Sequence, residues 1–133
     1  MDARGLTPGT IIRPEYEVTP RQLADLLGSQ KKPLVLDVRL DSEFRTAQIK
    51  DSLHIPLHLL EGRVDEVIDA AAGRMVVTLC HHGVRSLKAS LFLRQVGVSG
   101  AMSMAGGIDA WSLAIDASVP RYERSGEMCR LIG

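Results

Sequence analysis

One short segment concentrates the side chains that could carry out chemistry. The segment LCHHGVRS (79–86) contains Cys80, His81, His82, Gly83 and Arg85 within six consecutive positions. A cysteine that follows an apolar run is either a small buried side chain or, once deprotonated, a nucleophile. The surroundings of Cys80 and the spacing of the residues after it decide between these two interpretations.

The segments on either side of Cys80 favour a loop that binds negative charge. RMVVTL (74–79) predicts a buried strand that ends at Cys80, and SLKASLFLRQVG (86–97) predicts a helix that begins a few residues later. In open parallel sheets, ligands bind beyond the carboxyl ends of strands and near helix N-termini. Gly83 allows the chain to bend so that backbone N–H groups turn inward, and these groups, with the helix N-terminus, stabilise a thiolate over a thiol. Arg85 would add positive charge at the rim of this loop, unless it is simply a solvated residue at the start of the helix.

The distance in sequence between the cysteine and the arginine indicates the kind of chemistry. Arg85 lies five positions after Cys80, and Ser86 occupies the sixth position. A protein tyrosine phosphatase loop has one more residue between its cysteine and its arginine, so this loop is one residue too short for a phosphate dianion. The outer sulfur of a cysteine persulfide is smaller and fits a tighter loop. The segment therefore predicts a thiolate that accepts a sulfane sulfur and passes it to a thiol or to cyanide.

Helical and strand patterns alternate along the chain. TPRQLADLLG (19–28) predicts a helix with an N-cap at Thr19, a capping box with Gln22 and an end at Gly28. The other predicted strands are 34–38, SLHIPL (52–57) and AMSMAGG (101–107), and the other predicted helices are 41–49 (capped by Asp41 or Ser42), 59–73 with an interruption at Gly62, and 108–114. This alternation predicts an α/β fold with a largely parallel sheet covered by helices on both faces.

Four motifs, in this order, resemble those of the rhodanese (thiosulfate sulfurtransferase) family in its single-domain form. They are LVLDVRLDSEF (34–44), SLHIPL (52–57), CHHGVRS (80–86) and GGIDAW (106–111), and VPRY (119–122) is similar to the ending of many such domains. The resemblance implies a three-layer α/β sandwich with a central, mostly parallel five-stranded sheet flanked by helices. It also implies three parts in the chain: an N-terminal arm (1–14), a rhodanese-like domain (15–122) and a C-terminal tail (123–133).

The resemblance also implies roles for individual residues. Cys80 would form the persulfide, and Asp37 and Arg39 would support the pocket through an ion pair or loop hydrogen bonds. The residues that would surround the sulfur with main-chain amides are His81, His82, Gly83, Val84 and Arg85. The chain departs from the common pattern at Ala47-Gln48-Ile49, where Gly-His-Ile is usual, and at His54, where Asn is usual; both positions look structural.

Composition narrows the range of partners. Sixteen basic and sixteen acidic side chains cancel, so the net charge gives no reason to expect nucleic acid or an anionic membrane as a partner. No stretch approaches the roughly 18 apolar residues that span a bilayer, and the N-terminus does not resemble a signal peptide. We therefore expect a cytoplasmic protein that acts on a small-molecule sulfur donor such as thiosulfate and on a thiol or thiol-protein acceptor. No organic cofactor is implied, and no metal either, since adjacent His81 and His82 are poorly spaced for one tetrahedral ion.

Several alternatives remain open at this stage. The chain could be a non-catalytic, regulatory rhodanese-like binding module, or a phosphatase or arsenate reductase with a related loop. The second cysteine, Cys129, could be a resolving thiol, although an incidental cysteine in a mobile tail is the simpler interpretation. GGIDAW is expected to be architectural, with its two glycines in a turn and Trp111 in the core.

Overall fold

A five-stranded parallel sheet forms the centre of the molecule in a computed structural model that describes all 133 residues. In chain order the strands are β1 (Glu17–Val18), β2 (Leu34–Asp37), β3 (Leu53–His54), β4 (Val76–Leu79) and β5 (Met102–Met104). In the sheet their order is β1-β5-β4-β2-β3, and every pairing is parallel. The predicted α/β architecture, a central five-stranded parallel sheet flanked by helices, is confirmed. Strand β4, which leads to Cys80, lies at the centre of the sheet.

Helices cover both faces of this sheet. They are α1 (Pro20–Leu27), α2 (Asp41–Thr46), α3 (Leu57–Leu60), α4 (Val64–Ala71), α5 (Val84–Gln95) and α6 (Gly107–Ala114), with a 3-10 turn at Glu61–Arg63 between α3 and α4. One apolar core lies against α1 and α6, and the other lies against α3, α4 and α5. Because side chains alternate along a strand, Val77 and Leu79 enter the first core whereas Val76 and Cys80 enter the second. Cys80 is therefore on the α5 face.

The predicted helices are all present, but several of their boundaries differ from the prediction. Helix α2, for example, ends at Thr46, three residues earlier than predicted. Thr19 and Gln22 form the predicted capping box of α1. The predicted cap of α2 at Asp41 or Ser42 is wrong, because both residues lie inside the helix and Leu40 occupies the cap position. Helix α5 begins at Val84, two residues earlier than predicted, so Arg85 belongs to its first turn.

The two ends of the chain pack against the domain. In place of a mobile tail over residues 123–133, the chain forms an antiparallel hairpin of β6 (Arg121–Ser125) and β7 (Met128–Ile132). In the N-terminal arm, Leu6 is buried in a small apolar cluster with Ala105 and Ala110. No helix has both the length and the apolar character that crossing a lipid bilayer requires.

Candidate active site

Cys80 points into the loop that it begins. Its Sγ accepts a hydrogen bond from the backbone N–H of Gly83 at 3.0 Å and lies 3.3 Å from Oγ of Ser86. The sulfur therefore has one backbone N–H and one hydroxyl group within hydrogen-bonding distance. Only 1% of the residue is exposed. The sulfur therefore lies beneath the surface, inside the loop that Cys80 begins.

The bend of the loop depends on Gly83. Its φ angle is 111°, a left-handed conformation that L side chains rarely adopt. A Cβ atom at this position would also lie 3.3 Å from the backbone nitrogen of Gly106. The sequence-based expectation of a tight glycine bend after Cys80 is therefore confirmed.

Helix α6 holds the other side of the loop. The carbonyl groups of Cys80 and His81 accept hydrogen bonds from the N–H groups of Ile108 (2.8 Å) and Asp109 (3.2 Å). A Cβ atom at Gly107 would lie only 2.2 Å from the carbonyl oxygen of His81. Gly107 thus lets the start of α6 approach the loop, which is a more specific role than the turn predicted for GGIDAW.

The two histidines of the loop lie in different environments. The ring of His81 is buried, stacks on the ring of Tyr122 at a centroid distance of 4.1 Å and donates from Nε2 to the carbonyl oxygen of Tyr122 at 3.1 Å. Burial and the neighbouring His82 lower the pKa of His81 to about 4, so its ring is neutral at pH 7. His82 is exposed, as is Val84 at the first position of α5. The side chain of His81 therefore anchors the hairpin.

Arg85 pairs with a buried carboxylate. Its two terminal nitrogens contact Oε1 and Oε2 of Glu43 at 2.5 and 2.9 Å, and Glu43 also accepts from the hydroxyl of Tyr122 at 2.7 Å. Burial opposes ionisation of Glu43, but Arg85 and Tyr122 outweigh it and lower the pKa of Glu43 to about 2. Glu43 is therefore ionised, and Arg85, 22% exposed, is held at the rim of the loop.

Asp37 and Arg39 form a fully buried ion pair. Arg39 Nη2 lies 2.6 Å from Asp37 Oδ2, and neither side chain is exposed. Arg39 also donates to the carbonyl oxygens of Glu43 and Ala47 and to the hydroxyl of Tyr122. Burial alone would lower the pKa of Arg39, but Asp37 outweighs it and raises that pKa. This pair ties β2 to α2 and to the hairpin and has no surface on which a substrate could bind.

Three residues that contact the site could not be assigned to it from the sequence. Glu43 and Tyr122 were noted only as parts of motifs, and Ser86 only as the last residue of the loop segment. Ser86 also hydrogen-bonds to the hydroxyl of Ser103 at 2.7 Å, so a pair of buried hydroxyls lies behind Cys80. The available signal was polar residues in segments that are otherwise apolar, such as Ser103 in AMSMAGG.

A groove of about 560 Å³ runs along the outer side of the loop. His82, Gly83 and Val84 line one wall, and residues from α6 and the N-terminal arm line the other, but Cys80 does not reach it. No group of three or more histidine, cysteine, aspartate or glutamate side chains is arranged to hold a metal ion.

Comparison with known sequences gives one family. The model of the family described as rhodanese-like domain matches residues 19–114. A sulfurtransferase of Allochromatium vinosum is 32% identical over 96 residues, which is 72% of this chain and 87% of that protein. The adenylyltransferase and sulfurtransferase MOCS3-1 of Zea mays is 32% identical over 120 residues, which is 86% of this chain and 26% of that protein. The chain spans about a quarter of the length of such larger relatives.

Solved structures share the fold. The human single-domain sulfurtransferase TSTD1 superposes with a TM-score of 0.60 at 25% identity, covering 75% of this chain and 96% of that one. The protein SSP1007 of Staphylococcus saprophyticus gives a TM-score of 0.68 at 23% identity, covering 80% and 99% of the two chains. The β6–β7 hairpin follows the range that the family model matches.

Proposed function

The chain belongs to the rhodanese-like domain family, and from that premise we propose that it transfers sulfane sulfur through a persulfide on Cys80. The donor is thiosulfate or a persulfide, and the acceptor is cyanide or a thiol. The observation that supports this most directly is the N–H of Gly83, which is aimed at Cys80 Sγ from 3.0 Å.

The reaction consists of two displacements at sulfur. In the first, the Cys80 thiolate attacks the outer sulfur of thiosulfate, a new S–S bond forms, and sulfite leaves with the electron pair of the old S–S bond. In the second, the acceptor thiolate or cyanide attacks the outer sulfur of the persulfide, and the Cys80 thiolate leaves. Both steps begin or end with negative charge on Cys80, which the loop N–H groups of residues 81–85 and the α5 N-terminus stabilise.

The polar groups around the sulfur have separate roles in this scheme. The N–H of Gly83 stabilises the thiolate, and the main-chain groups of His81, His82, Val84 and Arg85 complete a cradle for the persulfide. The guanidinium of Arg85 adds positive charge where an anionic donor arrives. Asp37 and Arg39 support the site by tying β2 to α2 and to the hairpin, without touching the substrate.

Mass spectrometry tests the proposal. Incubation with thiosulfate should add roughly 32 Da, one sulfur atom, to the peptide that contains Cys80. Cys80→Ser should abolish both this gain and the formation of thiocyanate from cyanide, whereas the matched Cys129→Ser variant should keep both. A folded protein that gains no sulfur, or that hydrolyses p-nitrophenyl phosphate through Cys80 instead, would contradict the proposal.

A further inference from the structure

A second arginine, Arg124, lies close to Glu43, the carboxylate that pairs with Arg85. Residues 122 and 124 lie on the same face of β6, because side chains alternate along a strand. The hydroxyl of Tyr122 donates to Glu43, and Nε of Arg124 lies 3.8 Å from Glu43 Oε1, the oxygen that Arg85 contacts at 2.5 Å. The hairpin thus brings a second cation to the ion pair that holds Arg85, a residue of the loop that Cys80 begins.

The charges at this point do not cancel. Glu43 supplies one negative charge and is fully buried, whereas Arg85 and Arg124 supply two positive charges and are 22% and 34% exposed. The nearby ion pairs are balanced, since Arg39 pairs with Asp37 and Arg121 pairs with Asp109. Two partly exposed guanidinium groups therefore share a single buried carboxylate.

If Arg85 binds an incoming anion, it must give up its contacts with Glu43. The contact with Glu43 raises the pKa of Arg85, so its guanidinium is charged. If Arg85 turns toward a donor, however, it leaves an ionised and buried carboxylate without its main partner, which is strongly unfavourable. Arg124 is the cation placed to replace it. Its Nη1 is anchored on the carbonyl oxygen of Gly126, within the same hairpin.

We propose that Arg124 is a positioning residue for anionic sulfur donors: it moves onto Glu43 when Arg85 turns to bind the donor. The two arginines exchange on one carboxylate, so the buried charge stays paired throughout. The inference rests on the proposed function in taking the anion to be the sulfur donor. It assigns to the hairpin, which lies outside the family match, a part in donor selection.

Alkylation of Cys80 tests this exchange without any sulfur transfer. Iodoacetate is anionic and iodoacetamide is neutral. The ratio of their alkylation rates at Cys80, relative to the same ratio for free glutathione, therefore measures how strongly the protein attracts an anion to this sulfur. Peptide mass spectrometry gives both rates. Arg124→Gln should lower this ratio about fivefold, the order expected for loss of one nearby charge. Arg124→Lys should restore most of it, and the matched hairpin variant Arg130→Gln should leave it unchanged. An equal ratio in the wild type and in Arg124→Gln overturns the inference.

A double-mutant cycle tests the exchange itself. Because either arginine can neutralise Glu43, the loss of stability in Arg85→Gln/Arg124→Gln, measured by urea unfolding, should exceed the sum of the two single losses. Additive losses overturn the exchange. Should the double variant fail to fold, the alkylation ratio of the single variant decides. If the wild type forms the persulfide but Arg124→Gln leaves the alkylation ratio unchanged, only the exchange is refuted. If the wild type forms no persulfide but Arg124→Gln lowers the alkylation ratio, only the sulfur-transfer function is refuted.

Discussion

The two cysteines of this chain lie in contrasting backbone surroundings. Cys80 follows a parallel strand, is 1% exposed and receives an N–H from Gly83 at 3.0 Å. Cys129 lies within β7, opposite Arg124, is only half-buried, and has the Ser42 hydroxyl 3.9 Å from its sulfur. The residue type is the same, but only one of the two sulfurs receives a backbone donor.

The difference follows from what the backbone does at each place. Within a two-stranded antiparallel hairpin, N–H groups point sideways, either to the partner strand or away from it, and side chains project perpendicular to them. The N–H groups of such a strand therefore do not converge on a side chain of the same strand. At the end of β4 the chain leaves the ladder, turns at Gly83 and starts α5, and the first N–H groups of a helix have no partner within the helix. A loop between a strand and a helix therefore supplies donors to a thiolate, and a hairpin does not.

Inserting one alanine into the Cys80 loop and, in a separate variant, one into the hairpin should give the largest difference in the rate of sulfur loading. An alanine between Gly83 and Val84 shifts the start of α5 by about 100° of helical rotation and carries Arg85 away from Glu43. We expect sulfur loading of Cys80 to fall about 100-fold, as is typical when reacting groups move by about 1 Å. An alanine between Gly126 and Glu127, in the hairpin turn, should change loading by less than about twofold, as measured by the initial rate of persulfide formation. Equal losses in both variants would show that the loop geometry has no special role.

A matched pair of glycine substitutions compares the same two regions by stability. Gly107 and Gly126 have similar φ angles, 64° and 59°, but a Cβ atom would meet the loop only at Gly107. Gly126→Ala should cost about 1 kcal/mol through its backbone conformation. Gly107→Ala should cost about 3 kcal/mol or more, because the start of α6 must also move away from His81. Urea unfolding measures both, and similar losses would refute the contact described for Gly107.

The pH dependence of stability tests the attachment of the loop to the hairpin. The pKa of His81 is about 4 in the folded protein, below the ordinary value of 6.5, so the unfolded chain binds the proton first as the pH falls. The free energy of unfolding should therefore drop by about 2 kcal/mol between pH 7 and pH 5 through this residue. His81→Phe, which keeps a ring on Tyr122, should remove that part of the drop. A further loss toward pH 2, through Glu43 with its pKa of about 2, should remain in the variant. An unchanged slope above pH 5 in His81→Phe would contradict the neutral, buried state of His81.

The smallest effect is expected at Cys129. Its side chain packs against the edge of one apolar core and makes no short hydrogen bond. Cys129→Ala should cost about 1 kcal/mol or less of stability, the value of a small, partly buried group. Turnover with cyanide should stay within about twofold of the wild type. Loss of most of the activity would instead make Cys129 a sulfur relay.

Features of the fold that depend on neighbouring residues in the chain were the ones that the sequence predicted. The capping box of α1, the buried strand before Cys80 and the glycine bend at Gly83 all depend on neighbouring residues, and all were predicted. Glu43 was not assigned to the site, because its partners Arg85 and Tyr122 lie 42 and 79 positions away in the chain. Strand β1 is two residues long and is defined only by its pairing with β5, so no periodicity reveals it.

The attachment of the Cys80 loop to α6 has a consequence for the order of events during synthesis. The carbonyl groups of the loop accept hydrogen bonds from the N–H groups of Ile108 and Asp109, which lie later in the chain. Glu43 and His81 likewise form hydrogen bonds with Tyr122. A nascent chain that has emerged only as far as α5 has its cysteine and its glycine bend but none of these later restraints. The surroundings of Cys80 are therefore completed only after most of the polypeptide has left the ribosome.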